Sequence, residues 1–173
     1  LADLGVTAIE LMPLNSFGGS WNWGYDGVLL GAPDISYGRP SFLKALIDRA
    51  HELGLMVFLD VVYNHFGPDG NYIPEYAPEF FDPDNATVWG EGIDFYNPVV
   101  SQFFIDNALQ WLVEYRFDGL RIDAAWAINN RNWFAMLRQQ IAHHTDPGRH
   151  IHLILENENN DSALLRDGYN QWD

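Results

Sequence analysis

Three acidic residues lie within or directly after apolar runs of this sequence. Asp60 falls inside residues 55–63 (LMVFLDVVY), Asp123 ends the run GLRID, and Glu156 follows HLIL. Apolar runs of this length predict buried strands, and burying an isolated charge costs more than most folds tolerate. Each acid therefore needs either a partner or a chemical role.

Asp123 has a cation close by in the chain. Successive side chains of a strand point to opposite faces, so Arg121 and Asp123 should share one face while Leu120 and Ile122 take the other. A carboxylate beside a guanidinium stays ionised at neutral pH, as a nucleophile requires. Taken alone, this stretch is explained equally well by a buried Arg–Asp pair without any chemistry.

Glu156 is expected to have different surroundings. An acid directly after an aliphatic run is partly desolvated, which raises its pKa and suits a proton donor. Two acids whose surroundings separate their pKa values are typical of glycoside hydrolysis. In that chemistry Asp123 would attack the anomeric carbon, and Glu156 would protonate the leaving oxygen and then activate water. Configuration would be retained if the two carboxyl groups lie about 5 to 5.5 Å apart.

The same acids allow a second hypothesis. Asp60, Asp123 and Glu156 could bind a divalent cation, because such ions prefer oxygen ligands. Enzymes of that kind usually need a lysine or histidine base as well, and the only lysine of the chain, Lys44, falls on a predicted helix. The position of Lys44 weakens the hypothesis of a metal-dependent barrel enzyme, which stays a second alternative.

Asn64 and His65 follow Asp60 at the predicted strand end. A buried acid at such a point commonly holds backbone amides, so we interpret Asp60 as a residue that organises the loop. For His65 the position leaves two interpretations open, since it could line a turn or contact a substrate.

Four apolar runs predict strands, at residues 6–14, 55–63, 117–124 and 152–156. Helical spacing and capping residues predict helices from Pro40 to Gly54, from Asn97 to about Tyr115, and over 133–142. The predicted inner side of the second helix comprises Phe103, Phe104, Ala108, Trp111 and Leu112. Residues 15–38 and 64–97 are rich in glycine and aromatics and are predicted to be loops.

This alternation of apolar strands and helices indicates a parallel sheet covered by helices. A doubly wound nucleotide-binding sheet would carry a glycine-rich phosphate turn after its first strand, and none of the strand ends here has one. The predicted fold class is therefore α/β, part of a (β/α)8 TIM barrel. A complete barrel has eight strands and about 250 residues, so residues 1–173 are expected to be a partial catalytic domain, an excerpt of a longer chain with a loop insertion at about 64–97.

Composition restricts the partners and the compartment. The formal charge of −15 opposes binding to nucleic acid or to an anionic membrane, while the 15% aromatic content suits stacking on neutral sugar rings. No apolar run is long enough to predict a membrane span. The absence of cysteine excludes disulfides and thiolate metal sites and is compatible with a reducing compartment, so a cytoplasmic location is expected.

Four motifs carry a resemblance to a known family. WGYDG at 23–27, DVVYNH at 60–65, GLRIDA at 119–124 and the strand that ends at Glu156 follow the order and spacing of the alpha-amylase family, glycoside hydrolase family 13. The similarity covers essentially the whole chain, from the second to the fifth barrel strand, and is greatest to a trehalose-releasing branch. The resemblance implies an oligosaccharide substrate, an α-1,4-glucan, and no cofactor.

The resemblance also implies roles for individual residues. By motif position Asp123 is the nucleophile, Glu156 the acid/base and Arg121 the partner of the nucleophile, while Tyr25 and His65 surround the sugar whose bond is cut. Asp60 keeps its structural role. Asn64 takes a position that binds calcium in some amylases, although similarity to the trehalose-releasing branch does not imply a metal, and none is expected.

Two departures from the family pattern restrict these expectations. The family's third carboxylate belongs to a His-Asp motif after a later strand, so this segment alone is expected to be inactive and to need the remainder of the barrel. Trp126 stands where relatives commonly carry a histidine. The family pattern therefore does not predict the contacts to the leaving group, nor the precise substrate. A glycogen branching or debranching enzyme and a carbohydrate-binding relative without catalysis remain alternatives.

Overall fold

The computed structural model describes residues 1–159 and 161–172, without the side chain of Trp172. The strands are β1 (Ala8–Leu11), β2 (Asn15–Ser16), β3 (Leu29–Pro33), β4 (Met56–Val62), β5 (Phe81–Thr87), β6 (Gly90–Ile93), β7 (Gly119–Asp123), β8 (His152–Glu156) and β9 (Asn170–Trp172). The α-helices are α1 (Pro40–Glu52), α2 (Ile73–Tyr76), α3 (Pro98–Leu109), α4 (Asn132–His144) and α5 (Ser162–Arg166). A π-helical turn, Gln110–Glu114, continues α3.

The main sheet has five strands in the order β1-β4-β7-β8-β9, and every neighbouring pair is parallel. This confirms the α/β class and the four predicted strands. Strand β9 was not predicted, because Asn170 and Gln171 lack the apolar pattern that reveals a buried strand.

The two faces of the sheet differ in what covers them. One face packs against helices, and Val57, Leu59, Leu120, Ile122 and Leu155 on it are completely buried. The opposite face carries the charged residues of β4 and β7, as the alternation of side chains predicts. The polar groups of the central strands are therefore gathered on one side of the sheet.

Helix boundaries follow the predicted signals. Pro40 opens α1, and Gly54 follows its end with a φ of 74°, a conformation that glycine adopts without strain. The Asn97 side chain accepts a hydrogen bond from the Val99 amide at the start of α3. The prediction that Phe103 faces inward was wrong, because its side chain is 41% exposed and packs on Phe80 at the surface.

Both predicted loops contain short strands. Residues 15–38 include the antiparallel pair β2–β3, and residues 64–97 include the β5–β6 hairpin. Their sequences mix proline, glycine and acids with few alternating apolar residues, so periodicity does not reveal them. Among the described residues no helix has the length and apolar character needed to cross a bilayer.

Candidate active site

The site lies where β4, β7 and β8 end on the face opposite the helices. The register pairs Asp60 of β4 with Arg121 of β7, and Val62 with Asp123. Parallel strands end at one edge of a sheet, so side chains from their last residues meet there. Glu156, the last residue of β8, belongs to this same edge.

Arg121 joins the three acids. Its Nη1 donates to both carboxylate oxygens of Asp60 at 2.8 Å and to Asp123 Oδ1 at 2.7 Å. Its Nη2 lies 3.1 Å from Glu156 Oε2. The three acids that the sequence placed at strand ends therefore share a single guanidinium, which compensates charges that none could carry alone in a buried site.

Burial and the Arg121 guanidinium have opposite effects on the pKa of Asp60. The Asp60 side chain is only 3% exposed, and this burial raises its pKa to about 6, although the hydrogen bonds from Arg121 and Tyr25 act in the opposite direction. The pKa of Arg121 is raised: burial would lower it, and the bond to Asp60 together with the three nearby acids outweighs that effect. The guanidinium is therefore permanently charged.

The surroundings of Glu156 differ from the expected apolar environment. Besides Arg121, the backbone amide of Ala124 donates to Glu156 Oε2 at 2.6 Å. Ala124 has a φ of 41°, in the left-handed region that alanine rarely adopts, and it directly follows Asp123. This turn of the backbone connects the residue after one acid to the carboxylate of the other, a contact that no local sequence pattern predicts.

Tyr25, Asn64 and His65 surround Asp60 and Asp123. The Tyr25 hydroxyl donates to Asp60 Oδ2 at 2.8 Å. The pKa of Tyr25 is raised, mainly by burial and secondly by this hydrogen bond. Asn64 Nδ2 donates to the backbone oxygen and to Oδ2 of Asp123 at 2.9 and 3.1 Å. The structure thus brings these three predicted residues into one hydrogen-bonded group.

Both ring nitrogens of His65 face oxygen acceptors, namely Asn64 Oδ1 and the Tyr25 carbonyl. Burial lowers the pKa of His65, whereas the Tyr25 carbonyl and the charge of Asp123 oppose that shift. The imidazole is consequently fixed in orientation by the two segments that flank the site.

Trp89 and Trp126 form an aromatic cluster with His65. Trp89 was not predicted from the sequence. The ring of Trp89 stacks on His65 with centroids 4.7 Å apart and planes 7° apart, and Trp126 follows at 6.3 Å from Trp89. Trp89 lies in the turn of the β5–β6 hairpin and is 44% exposed. Only a correct prediction of that hairpin could have identified it.

Glu10 is a second missed candidate. It lies in β1 opposite Phe58 of β4, two residues before Asp60, and so shares the face of the site. Partial burial raises its pKa, and the charge of Arg121 opposes the change. In the sequence, Glu10 could have been identified as an acid inside the apolar run VTAIELMPL.

The geometry does not favour the metal hypothesis. Arg121 takes the place between Asp60, Asp123 and Glu156 that a cation would need. Within residues 1–159 and 161–172, no three His, Asp or Glu side chains are arranged to hold a metal ion. Both ends of the Asn64 amide already bond to protein groups.

Comparison with known families identifies the fold. Residues 1–87 match the family described as alpha amylase, catalytic domain. A crystal structure of a Salmonella typhimurium protein provisionally named alpha amylase superposes on 92% of this chain with a TM-score of 0.88 and 48% identity, and this chain covers 28% of it. A type I pullulanase from Bacillus subtilis superposes on 89% with a TM-score of 0.78 and 31% identity, of which 24% is covered. The five-stranded sheet is thus part of a (β/α)8 barrel.

The curated relatives are named for related activities. The malto-oligosyltrehalose trehalohydrolase of Deinococcus radiodurans is 55% identical over 72% of this chain and 21% of its own length. That of Arthrobacter ramosus is 39% identical over the whole chain and 32% of its own length. A 1,4-alpha-glucan branching enzyme of Vibrio parahaemolyticus is 36% identical over 72% of the chain and 17% of its own length. The chain thus spans a third or less of these relatives.

Proposed function

This chain belongs to the alpha-amylase family, and on that premise we propose that the full-length protein is a retaining glycosidase that releases trehalose from maltooligosyltrehalose. Residues 1–173 would be the part of its catalytic barrel that carries the nucleophile and the acid/base, with residues 64–97 as an insertion. The observation that carries this proposal is the Arg121 guanidinium, which bonds to both Asp123 and Glu156.

In the first step Asp123 attacks the anomeric carbon of the glucose next to the trehalose unit. The bond from that carbon to the glycosidic oxygen breaks, and Glu156 gives its proton to the leaving oxygen, so trehalose departs. In the second step Glu156 takes a proton from water, the water attacks the same carbon, and Asp123 leaves. Two displacements on one carbon retain its configuration.

Arg121 and Asn64 would prepare Asp123 for attack. Their donors bond to Oδ1 and Oδ2 of Asp123 respectively, which would hold the carboxyl group in one orientation. Glu156 would face the glycosidic oxygen from the end of the neighbouring strand β8, where Arg121 and the Ala124 amide hold its carboxyl group. Asp60 would fix Arg121 and Tyr25 and would not touch the substrate.

The aromatic residues would contact sugar rings. Tyr25 and His65 would flank the glucose whose bond is cut, and Trp126 with Trp89 would contact the sugar on the leaving side. Trp126 is 42% exposed and Trp89 44%, so each indole has exposed surface that an apolar sugar face could contact. The choice of trehalose as product rests on the similarity to the trehalohydrolases over this segment.

Product analysis of the full-length protein tests the proposal. Incubation with maltooligosyltrehalose should yield free trehalose and a maltooligosaccharide in equal amounts, with the α-configuration of the new reducing end. The alternative is a branching or debranching enzyme, and it is based on the similarity to the branching enzyme and the pullulanase. Formation or removal of branches without free trehalose would support that alternative.

Substitution of the acid/base provides a second test. Glu156→Gln should lower kcat by roughly 10²-fold or more, the usual effect of losing a general acid. Glu158→Gln is the matched control, because Glu158 is exposed two residues away and should keep full activity. An unchanged rate in Glu156→Gln would remove Glu156 from the mechanism. Full activity after removal of divalent cations by a chelator would likewise exclude the metal-dependent alternative.

We also propose that the protein works in the cytoplasm, because the chain contains no cysteine that an oxidising compartment would pair. Fractionation of the cells that produce it would test the location. Recovery of the trehalose-releasing activity outside the cytoplasmic fraction would contradict it.

A further inference from the structure

A buried amide on helix α3 connects the two chain segments that flank the candidate site. Asn107 is 7% exposed, and its side-chain nitrogen donates to the Leu30 carbonyl at 2.9 Å. Its oxygen accepts from the Tyr63 hydroxyl at 2.8 Å and from the Trp111 indole at 3.2 Å. Both lone pairs of the amide oxygen are thereby used.

The first contact leads to the end of β4. Tyr63 is 1% exposed and makes edge-to-face contacts with the rings of Phe104 and Trp133. The next two residues are Asn64, which donates to Asp123, and His65. Fixing the Tyr63 ring at its hydroxyl therefore fixes the backbone from which both polar side chains project.

The second contact leads to the segment that carries Tyr25. Strand β3 lies outside the main sheet and pairs only with the two-residue strand β2 among the described residues. Its Leu30 and Gly31 carbonyls accept from the side chains of Asn107 and Gln110 instead. The bond from Asn107 is buried and the bond from Gln110 is exposed to solvent, so Asn107 provides the buried polar anchor of β3.

These two segments also meet at the site itself. His65 bonds to the Tyr25 carbonyl at 3.0 Å, and the Gly67 amide donates to the Gly27 carbonyl at 3.1 Å. The separation between the segments is therefore set at two places, by His65 and Gly67 near the site and by Asn107 behind it.

We propose that Asn107 is a positioning residue that sets the spacing of Tyr25 and His65 across the sugar site. It touches neither substrate nor the reacting carboxylates and acts through Tyr63 and Leu30. The inference rests on the proposed contact of Tyr25 and His65 with the sugar, but not on trehalose as the product.

Two mild substitutions in the full-length protein separate the two contacts. Asn107→Asp keeps the acceptor for Tyr63 but cannot donate to the Leu30 carbonyl, and Tyr63→Phe removes one hydroxyl while it keeps the buried ring. Each should lower kcat/KM for cleavage of an α-1,4-glucan oligosaccharide by at least fivefold, measured well below the thermal midpoint. Cleavage is followed as new reducing ends, so a product other than trehalose would refute the proposed function without affecting this test.

Gln110→Leu is the matched control. Gln110 bonds to the adjacent Gly31 carbonyl from the same helix, but it is only partly buried, so water can replace its amide. Its kcat/KM should stay within twofold of the wild type. If Asn107→Asp does not fold, Tyr63→Phe alone decides, because removing one hydroxyl leaves the packing of the ring intact.

A double-mutant cycle distinguishes positioning from general stabilisation. In a Tyr25→Phe background, which lacks the hydroxyl that bonds to Asp60, Tyr63→Phe should cost less than twofold in kcat/KM, because the loss of correct placement has already occurred. Equal factors in both backgrounds, or a lowered thermal midpoint with unchanged kcat/KM, would overturn the proposal and leave Asn107 with a purely structural role.

Discussion

Arg121 bonds to three carboxylates from three different strands, so it is the residue whose replacement should affect the site most broadly. Its planar guanidinium reaches Asp60 and Asp123 with one nitrogen and Glu156 with the other. Lysine has a single ammonium group that cannot reproduce this geometry. The arrangement explains how three acids can lie together in a largely buried place.

Arg121→Lys should lower kcat/KM by roughly 10²-fold or more, because a misplaced group in a catalytic site commonly costs that much. The free energy of unfolding should fall by about 3 kcal/mol, at the lower end for a broken buried ion pair. Steady-state kinetics and urea unfolding of the full-length protein measure both effects. The exposed Arg131, paired with Asp161 at the surface, provides the control, and Arg131→Lys should change neither quantity appreciably. Activity within threefold of the wild type in Arg121→Lys would contradict the central role of the guanidinium.

The pKa of Asp60 predicts a pH dependence of stability. Its folded-state value of about 6 lies above the ordinary value of 3.8, so between these two values the folded state binds more protons than the unfolded state. The resulting stabilisation is fully present below about pH 4 and is lost as the pH rises to about 6. The free energy of unfolding of the wild type relative to Asp60→Asn should therefore increase as the pH falls from 7 to 4.

Denaturant unfolding of both proteins across this pH range measures that difference. The opposite slope would mean that the donors on Arg121 and Tyr25 outweigh burial and keep Asp60 ionised. Glu10, whose pKa is also raised, contributes in the same direction, but it remains in both proteins and largely cancels from the comparison.

At the scale of residues, the sequence predicted which side chains meet but not how they are bonded. Alternation along a strand placed Arg121 and Asp123 on one face, and the strand ends placed Asp60 and Glu156 nearby. The reach of Arg121 across to β8 and the turn at Ala124 are tertiary features. For this reason the apolar surroundings expected for Glu156 were not found.

Gly67 lies where two elements approach each other closely at the site. A Cβ added to Gly67 would lie 1.9 Å from the backbone oxygen of Asp26, so no side chain fits between the end of β4 and the segment that carries Tyr25. Gly67→Ala should force the two segments apart and cost about 1 to 3 kcal/mol of stability, with a loss of at least tenfold in kcat/KM.

Gly148→Ala is the matched control for that prediction. Its added Cβ would meet only the flexible Asp146 side chain, at 3.3 Å, and Gly148 is exposed, so the change should stay within about 0.5 kcal/mol. Thermal unfolding and kinetics of both variants decide the matter. Equal behaviour of the two alanine variants would show that the close approach at Gly67 does not constrain the site.

At the scale of elements, the long periodic segments were predicted well and the short polar ones were not. The predicted bounds of β8, 152–156, agree with the structure, because an aliphatic run buried on the sheet has few alternative conformations. The two strands of the β5–β6 hairpin pair with each other and β9 pairs with β8, and these segments carry little apolar pattern of their own. Trp89 was missed together with its hairpin.

At the scale of the whole molecule, the negative charge restricts what the site can attract. The segment carries a formal charge of −15, and a neutral oligosaccharide gains nothing from that field. The KM of the full-length protein for the proposed glucan substrate should change by less than about twofold between roughly 0.05 and 0.5 M NaCl, since screening alters only interactions between charges. A tenfold change would indicate that a charged group on the substrate is recognised.

The π-helical turn Gln110–Glu114 makes the length of the third helix as important as its composition. Loss of a single residue there would restore ordinary α-helical winding and rotate the preceding turns by about 100° relative to the strand that follows. Asn107 would then point away from Tyr63 and Leu30, although these three residues would themselves be unchanged. Tolerance of insertions and deletions in this part of the gene should accordingly be far lower than tolerance of substitutions.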